Sequence, residues 1–204
     1  MPTNPPHPRR PAGSAALPGG SQRRQEILEI AGQLFATRGY RGTSMRDIGE
    51  RAGVMGGSLY HHIKSKDALF VALHNAALDA AARDIEAAVA PLADPWERLE
   101  AACVTLATIQ LHPDSLTLPM MNDIREVPPE VRTQLIARRD AFEILFRDLV
   151  AALPLPAEID RSIYRNALLS QLNTASNWYR PGRLGPGELG RQIARIFRQV
   201  GAHA

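Results

Sequence analysis

The sequence contains a single cysteine, Cys103, among 204 residues, and aromatic side chains make up only 5% of it. One cysteine excludes a disulfide framework within the chain. No stretch approaches the roughly 20 consecutive apolar residues that a membrane-spanning helix needs, and the amino terminus lacks the continuous apolar segment of a secretory signal. These absences exclude disulfide-stapled and membrane-spanning proteins, and they predict a cytoplasmic protein with no membrane partner.

Residues that could support catalysis or bind a metal ion are few and scattered. His61 and His62 are neighbours, and on a helix their side chains diverge by about 100°, which is poor geometry for one metal ion. Cys103 lies on an apolar helical face, whereas a nucleophilic cysteine needs an activating partner. We therefore expect no enzyme, no cofactor and no metal site.

Two short helical patterns separated by a glycine turn occupy residues 43–70. Ser44 and Asp47 have the spacing of a capping box at the start of the first pattern, and Gly53 permits a tight turn after it. Upstream, Gly39 is expected to end another helix, because glycine accepts the left-handed conformation without penalty. The apolar stripe of that upstream helix consists of Ile27, Ile30, Ala31, Leu34 and Phe35. Together these features predict a helix-turn-helix unit.

The last helix of this unit, expected over residues 56–63, turns Leu59 and Ile63 inward. Its outer side carries groups that can contact phosphates and base edges alike. These are Gly57, Ser58, Tyr60, His61 and Lys64. Residues 1–66 hold ten Lys and Arg against four Asp and Glu, and the remaining residues hold fourteen against seventeen. A basic end on an acidic body indicates a nucleic-acid partner.

Alternating β-branched residues, which indicate strands, are scarce, so the predicted fold class is all-α. Residues 1–20 contain six prolines and no acidic residue, and we expect a disordered arm because this segment has nothing to bury. A three-helix DNA-binding domain is predicted over residues 21–66, and a helical ligand-binding and dimerisation domain over residues 67–204. Within the latter, helices are expected over residues 67–89, 157–179 and 186–200, and from near Pro95 and Pro129.

Residues 22–70 resemble the DNA-binding domain of the tetracycline-repressor (TetR) family of bacterial transcriptional regulators, through the segments LFATRGY, GTSMRDIGERAGV and GSLYHHIKSKDALF. The resemblance implies that Tyr60, His61 and Lys64 contact phosphates, as does Thr43. It further implies that Lys66 anchors the next helix near the DNA, and that base contacts come from Arg46, Gly57 and Ser58. The whole expected DNA-binding set is Thr43, Ser44, Arg46, Gly57, Ser58, Tyr60, His61, Lys64 and Lys66.

The same resemblance implies a homodimer whose last two helices pair as a four-helix bundle. A two-fold dimer would place two recognition helices on successive faces of the major groove, so a near-palindromic operator of double-stranded DNA is expected. The sequence supplies enough apolar surface for such an interface. The candidate interface residues are Ile163, Leu168, Leu172, Trp178, Leu189, Ile193, Ile196 and Phe197.

The apolar segment around Met120 and Met121 could line a cavity for a small-molecule effector, although an ordinary core position is the commoner role for each residue. The segment NWYRPGRLGPGEL resembles a TetR subgroup that controls fatty-acid, steroid or aromatic catabolism, some members of which respond to acyl-coenzyme A thioesters. A hydrophobic or acidic effector is therefore expected. The candidate ligand residues are Cys103, Leu106, Met120, Met121, Arg125, Phe142, Phe146, Leu169 and Asn173.

Three functions remain open at this level. A repressor that releases its operator when an effector binds is favoured by the family resemblance. An activator with the same architecture is one alternative. A non-specific architectural DNA-binding protein is another, although it would have little use for more than a hundred residues of apolar-striped body.

Overall fold

The computed structural model describes residues 19–54, 59–60, 63–112 and 126–202. Within these ranges the regular structure is helical and contains no strand, which confirms the predicted all-α fold. The helices are α1 (Gly19–Arg38), α2 (Met45–Ala52), α3 (Lys66–Val89), α4 (Pro95–Leu111), α5 (Pro129–Ala151), α6 (Arg161–Asn173), α7 (Ala175–Trp178) and α8 (Pro186–Ala202). None of the described helices combines the length and the apolar character needed to span a bilayer.

Side chains and glycines set the ends of the first helices where the sequence predicts them. Ser44 caps α2: its Oγ accepts a hydrogen bond from the Asp47 amide at 3.1 Å, and the Asp47 carboxylate accepts one from the Ser44 amide at 2.8 Å. Gly39 and Gly53 adopt positive φ angles of 71° and 63° after α1 and α2. The capping box and both glycine stops are therefore confirmed.

The helix expected over residues 157–179 begins later and is interrupted. Asp160 caps α6, because its carboxylate accepts hydrogen bonds from the amides of Ser162 and Ile163 at 2.8 Å each. At the other end, Thr174 leaves the helical conformation and its hydroxyl donates to the Ser170 carbonyl at 2.7 Å. The short α7 follows this break. The apolar spacing continues through this segment and predicts one helix, but the capping side chains divide it into two.

Two apolar clusters organise the described residues. The head cluster joins α1, α2 and the start of α3 through buried Ile27, Phe35, Ile48, Leu59 and Phe70. The body cluster joins the later helices through Ile85, Leu99, Leu106, Phe146, Leu168 and Ile193. Within the body, α4 packs against both α3 and α8.

Helix α5 belongs to both clusters. Val131 and Leu135 near its start are buried in the head cluster, together with Val127 just before it. Phe146 and Val150 near its end are buried in the body cluster. The two domains expected on either side of residue 66 therefore share apolar contacts. Residues about sixty positions downstream of that boundary complete the core of the DNA-binding head.

Candidate DNA-binding surface and effector site

The buried side chain of Thr43 stabilises the turn before α2. Thr43 is only 1% exposed, and its hydroxyl donates a hydrogen bond to the Gly39 carbonyl at 2.9 Å. The Thr43 side chain therefore lies in the protein. The hydroxyl closes the turn that presents α2, and the phosphate contact expected of Thr43 stays a prediction.

Lys66 is also engaged within the protein. Its ammonium donates to the carbonyls of Tyr40 at 3.0 Å and Thr43 at 3.2 Å, and it lies 4.1 Å from the centre of the Tyr40 ring. The Tyr40 hydroxyl donates to the Asp67 carboxylate, and burial, together with that hydrogen bond and the charge of Asp67, raises the pKa of Tyr40. Lys66 thus anchors the start of α3 to the turn before α2, with its charge directed inward.

Four other candidates are accessible on the head. Ser44, Arg46, Tyr60 and Lys64 are exposed, and Arg46 and Tyr60 line the same groove of about 510 Å³ beside α2. Arg46 pairs with Glu50 at 2.7 Å on the surface, and such exposed pairs are weak enough to exchange for a phosphate or a base. Gly57, Ser58 and His61 lie outside the described residues.

No local sequence pattern indicates the contacts that Arg23 makes. Its guanidinium donates to the Ala52 carbonyl at 2.6 Å and pairs with Glu26 at 2.6 Å. Ala52 is the last residue of α2, where carbonyls lack helical partners and a cation is favourable. Arg23 therefore ties α1 to the end of α2. Arg24, Arg41 and Arg51 remain exposed on the head and keep it basic.

The expected effector residues divide into three groups. Cys103, Leu106, Phe146 and Leu169 are buried in the body cluster, where they pack against protein. Burial, with the charge of Glu100, raises the pKa of the Cys103 thiol to about 12, so the thiol is unreactive. Phe142 and Asn173 are half-buried, whereas Met120, Met121 and Arg125 lie outside the described residues.

A groove of about 600 Å³ runs between α3 and α5. Phe142 is the one expected ligand residue that lines it, beside Leu145, Ile144, Arg98 and Arg138. Apolar periodicity does not distinguish a groove-lining residue from a core residue, so this groove could not be predicted from the sequence. In the described part of the chain, no cluster of three or more His, Cys, Asp and Glu side chains could hold a metal ion.

Family models match both the head and the body of the chain. The family model of bacterial regulatory proteins of the tetR family matches residues 27–73, and the tetracyclin repressor-like C-terminal domain matches residues 92–200. The second match alone covers more than half of the chain. The chain belongs to the TetR family.

Individual TetR-family relatives extend over most of the chain. The HTH-type transcriptional repressor KstR2 of Rhodococcus jostii (strain RHA1) is 30% identical over 172 residues, covering 80% of this chain and 83% of that protein. The HTH-type transcriptional activator FasR of Mycolicibacterium smegmatis is 28% identical over 149 residues, covering 69% and 68%. The solved structure of the ketosteroid transcriptional regulator KstR2 of Mycobacterium tuberculosis superposes with a TM-score of 0.69 at 26% identity, covering 87% and 94%.

In this TetR-family chain the expected interface residues fall on two sides of the last helices. Leu168, Leu172, Leu189 and Ile193 are covered inside one subunit, so they stabilise its core and offer no apolar surface to a second chain. Phe197 is half-buried against Tyr164, with ring centres 5.3 Å apart. Ile163, Trp178 and Ile196 are exposed by 71%, 47% and 58%. Val200, one turn after Ile196 and missed by sequence reasoning, is 57% exposed.

Proposed function

We propose that this TetR-family transcriptional regulator is a repressor that binds a near-palindromic operator as a homodimer and leaves it when a small molecule binds the body. The observation that carries the proposal is the apolar surface left open on α6, α7 and α8. Ile163, Trp178, Ile196 and Val200 are large side chains exposed to water in one subunit, and large exposed apolar side chains on neighbouring helices are typical of a protein–protein interface.

DNA contact is proposed for the accessible part of the head. Arg46 and Tyr60 line one groove, and Lys64 is exposed nearby in sequence. A guanidinium, a phenol and an ammonium can bind phosphates, and Arg46 can also reach a base edge. A two-fold dimer doubles these contacts and places the two heads about one helical turn, roughly 34 Å, apart on the duplex.

The experiment combines selection of bound DNA with one interface variant. Full-length protein would be used to select its operator from random duplexes, and the selected site should be a near-palindrome protected as one footprint. Ile196→Glu places a charge in the proposed interface, so it should give a monomer in light scattering and weaken operator binding by at least about 100-fold. Ile144→Glu is the matched control, since Ile144 is 44% exposed on α5 and faces the groove between α3 and α5.

The outcomes separate the alternatives. A dimer with intact operator affinity in Ile196→Glu would reject the proposed interface. Uniform coverage of DNA without a preferred site would favour the architectural alternative. The similarity to the activator FasR favours an activator as the second candidate, and transcription in vitro from a promoter carrying the selected operator distinguishes the two by the sign of the effect.

A further inference from the structure

Buried polar side chains gather at one end of the body. On α3, the residues that pack towards α4 include Leu78 and Ala81, and one turn before them lies His74, which is 2% exposed. On α4, Gln110 near the end of the helix is 3% exposed. Its Nε2 donates a hydrogen bond at 3.1 Å to Oδ1 of Asn173, the last residue of α6.

Helix register places these side chains at one level. Ile109 and Phe142 pack against the small cluster formed by Leu78 and Ala81. His74 lies about one turn from Leu78, Gln110 is the residue after Ile109, and Arg139 lies about one turn before Phe142 on α5, so each is within about 6 Å along its helix axis of that cluster. We call His74, Gln110, Asn173 and Arg139 the polar layer. Four helices each contribute one member.

Three atoms of the polar layer lack a hydrogen-bond partner among the described residues. They are His74 Nδ1, Gln110 Oε1 and Arg139 Nε, and all three are buried. Arg139 Nε lies 3.8 Å from the Glu143 carboxylate, beyond hydrogen-bonding distance. Most buried polar atoms in folded proteins are paired, because an unpaired one costs the free energy of its lost hydration. Several unpaired atoms at one level therefore indicate a site built for a polar group.

The two side chains of the polar layer that can bind a ligand, His74 and Gln110, are uncharged. Burial is the largest influence and lowers the pKa of His74; a hydrogen-bonding contact with the side chain of Asn75 raises it, and the charges of Arg138 and Arg139 lower it further. The imidazole is therefore neutral at pH 7. The nearby cations are already matched by carboxylates, since Arg138 pairs with Asp79 and Arg139 with Glu143. Gln110 Oε1 can only accept a hydrogen bond, so it requires a donor and repels a carboxylate.

We propose that the polar layer is the recognition end of the effector site and takes an uncharged ligand with an N–H or O–H group beside an apolar body, such as a carboxamide or an alcohol. Gln110 Oε1 accepts a hydrogen bond from that group, and His74 Nδ1 pairs with the ligand's oxygen. Leu78, Ile109 and Phe142 supply the adjoining apolar wall. This inference rests on the proposed function, since it assigns the chemistry of the effector.

Three probes with the same heavy-atom skeleton test the ligand class in full-length protein. Octanamide has a carbonyl and an N–H, 2-nonanone has the carbonyl with a methyl group in place of the amide nitrogen, and octanoate has a charged acceptor in its place. Calorimetric titration should show octanamide binding at least about tenfold more tightly than either of the others, the difference made by one buried hydrogen bond. No octanamide binding at millimolar concentration, or equal affinity for the three probes, would overturn the proposal.

Two variants and a control test the residues. Gln110→Met and His74→Leu remove the unpaired atoms with little change in volume, and each should weaken octanamide binding about tenfold. Gln110→Met also removes the hydrogen bond from Gln110 Nε2 to Asn173 Oδ1, so the affinity of both variants is measured at a temperature where each is folded. Tyr164→Phe is the control, since it removes another unpaired buried atom near the opposite end of α6 and should leave octanamide binding unchanged.

Failure of this inference is distinguishable from failure of the proposed function. Unchanged octanamide affinity in both layer variants would show that these side chains do not contact the ligand, and equal affinity for the three probes would show that the site does not select a hydrogen-bond donor. Either result overturns the inference while leaving operator binding by the ligand-free wild type as it was. Loss of a preferred operator in the wild type would instead reject the proposed function.

Discussion

Gly190 on α8 lies directly against the backbone of Cys103 on α4. A Cβ atom at position 190 would stand 2.5 Å from the Cys103 carbonyl oxygen, 2.8 Å from the Val104 Cα and 2.9 Å from the Ala107 Cβ. Real atoms of these types do not approach so closely, and two of the three neighbours belong to helix backbone that cannot move alone. The absence of a side chain at Gly190 therefore sets the distance between α4 and α8, the two helices at the centre of the body.

Gly190→Ala should destabilise the body by pushing α8 away from α4. We expect a loss of about 2 kcal/mol in the free energy of unfolding, the usual scale for overpacking a core, measured by urea denaturation. Gly187→Ala is the control on the same helix, because its Cβ would lie 3.4 Å from Thr108 Oγ1, close to an ordinary contact. That control should be neutral or stabilising, and equal losses in both variants would contradict the packing argument.

The chain has only two lysines, Lys64 and Lys66. We expect Lys64 to bind DNA and Lys66 to stabilise the head. Lys64→Gln is expected to weaken operator binding and reduce the slope of log affinity against log salt by about one, because one phosphate contact is lost. Lys66→Gln should leave that slope unchanged and lower stability by about 1–2 kcal/mol, since its ammonium binds carbonyls and an aromatic ring. Anisotropy titrations across a salt series provide the measurement; a reduced slope for Lys66→Gln would show that it faces DNA.

Two valines on α5 should test whether this helix joins body to head. Val131 is 4% exposed in the head cluster, and Val150 is 1% exposed in the body cluster. Replacing either with alanine should lower the free energy of unfolding by about 2 kcal/mol, from lost burial and a small cavity. Operator affinity, measured where both variants are folded, should fall in Val131→Ala alone. Equal affinities would indicate that α5 does not position the head.

The capping box of α2 should appear in the pH dependence of stability. Hydrogen bonds from Ser44 lower the pKa of Asp47 from its ordinary value of 3.8, with the charges of Arg38 and Arg46 acting in the same direction against a small effect of burial. A lowered folded-state pKa contributes stability above pH 3.8 that is lost as the pH falls through the folded-state value. Ser44→Ala should therefore lower stability near pH 7 and flatten its decline below about pH 4.

Thermal unfolding of the wild type and Ser44→Ala between pH 3 and pH 7 would check that expectation. The two Tm curves should converge as the pH falls, because protonated Asp47 no longer accepts the hydrogen bonds from Ser44. Parallel curves over the whole range would mean that the carboxylate does not take part in the cap.

Short-range chemistry explains why several features were predictable. The Ser44–Asp47 box, the glycine stop at Gly39 and the proline start of α4 each depend on residues within about four positions of one another. Apolar spacing likewise identified the inward side of α1, where Ile27, Ala31, Leu34 and Phe35 are buried. Such signals identify helices and the helix-turn-helix unit, and they led to the family.

Contacts between distant segments were not predictable in the same way. Lys66 reaches a carbonyl 26 residues away, Arg23 reaches one 29 residues away, and Val131 joins a core built mainly from residues before position 74. No local spacing signals these contacts. Thr43 and Lys66 have the residue types of DNA-binding groups, yet packing turned both inward.

The sequence by itself determined that this chain is helical, where most of its helices begin and end, and that its basic head has a helix-turn-helix pattern. Only the tertiary structure decided which apolar side chains are covered. Leu168 and Ile163 are both apolar residues of α6, but one is fully buried and the other is 71% exposed. The reason is physical: periodicity records the chemistry of a helix face, whereas burial depends on which other helix packs against that face.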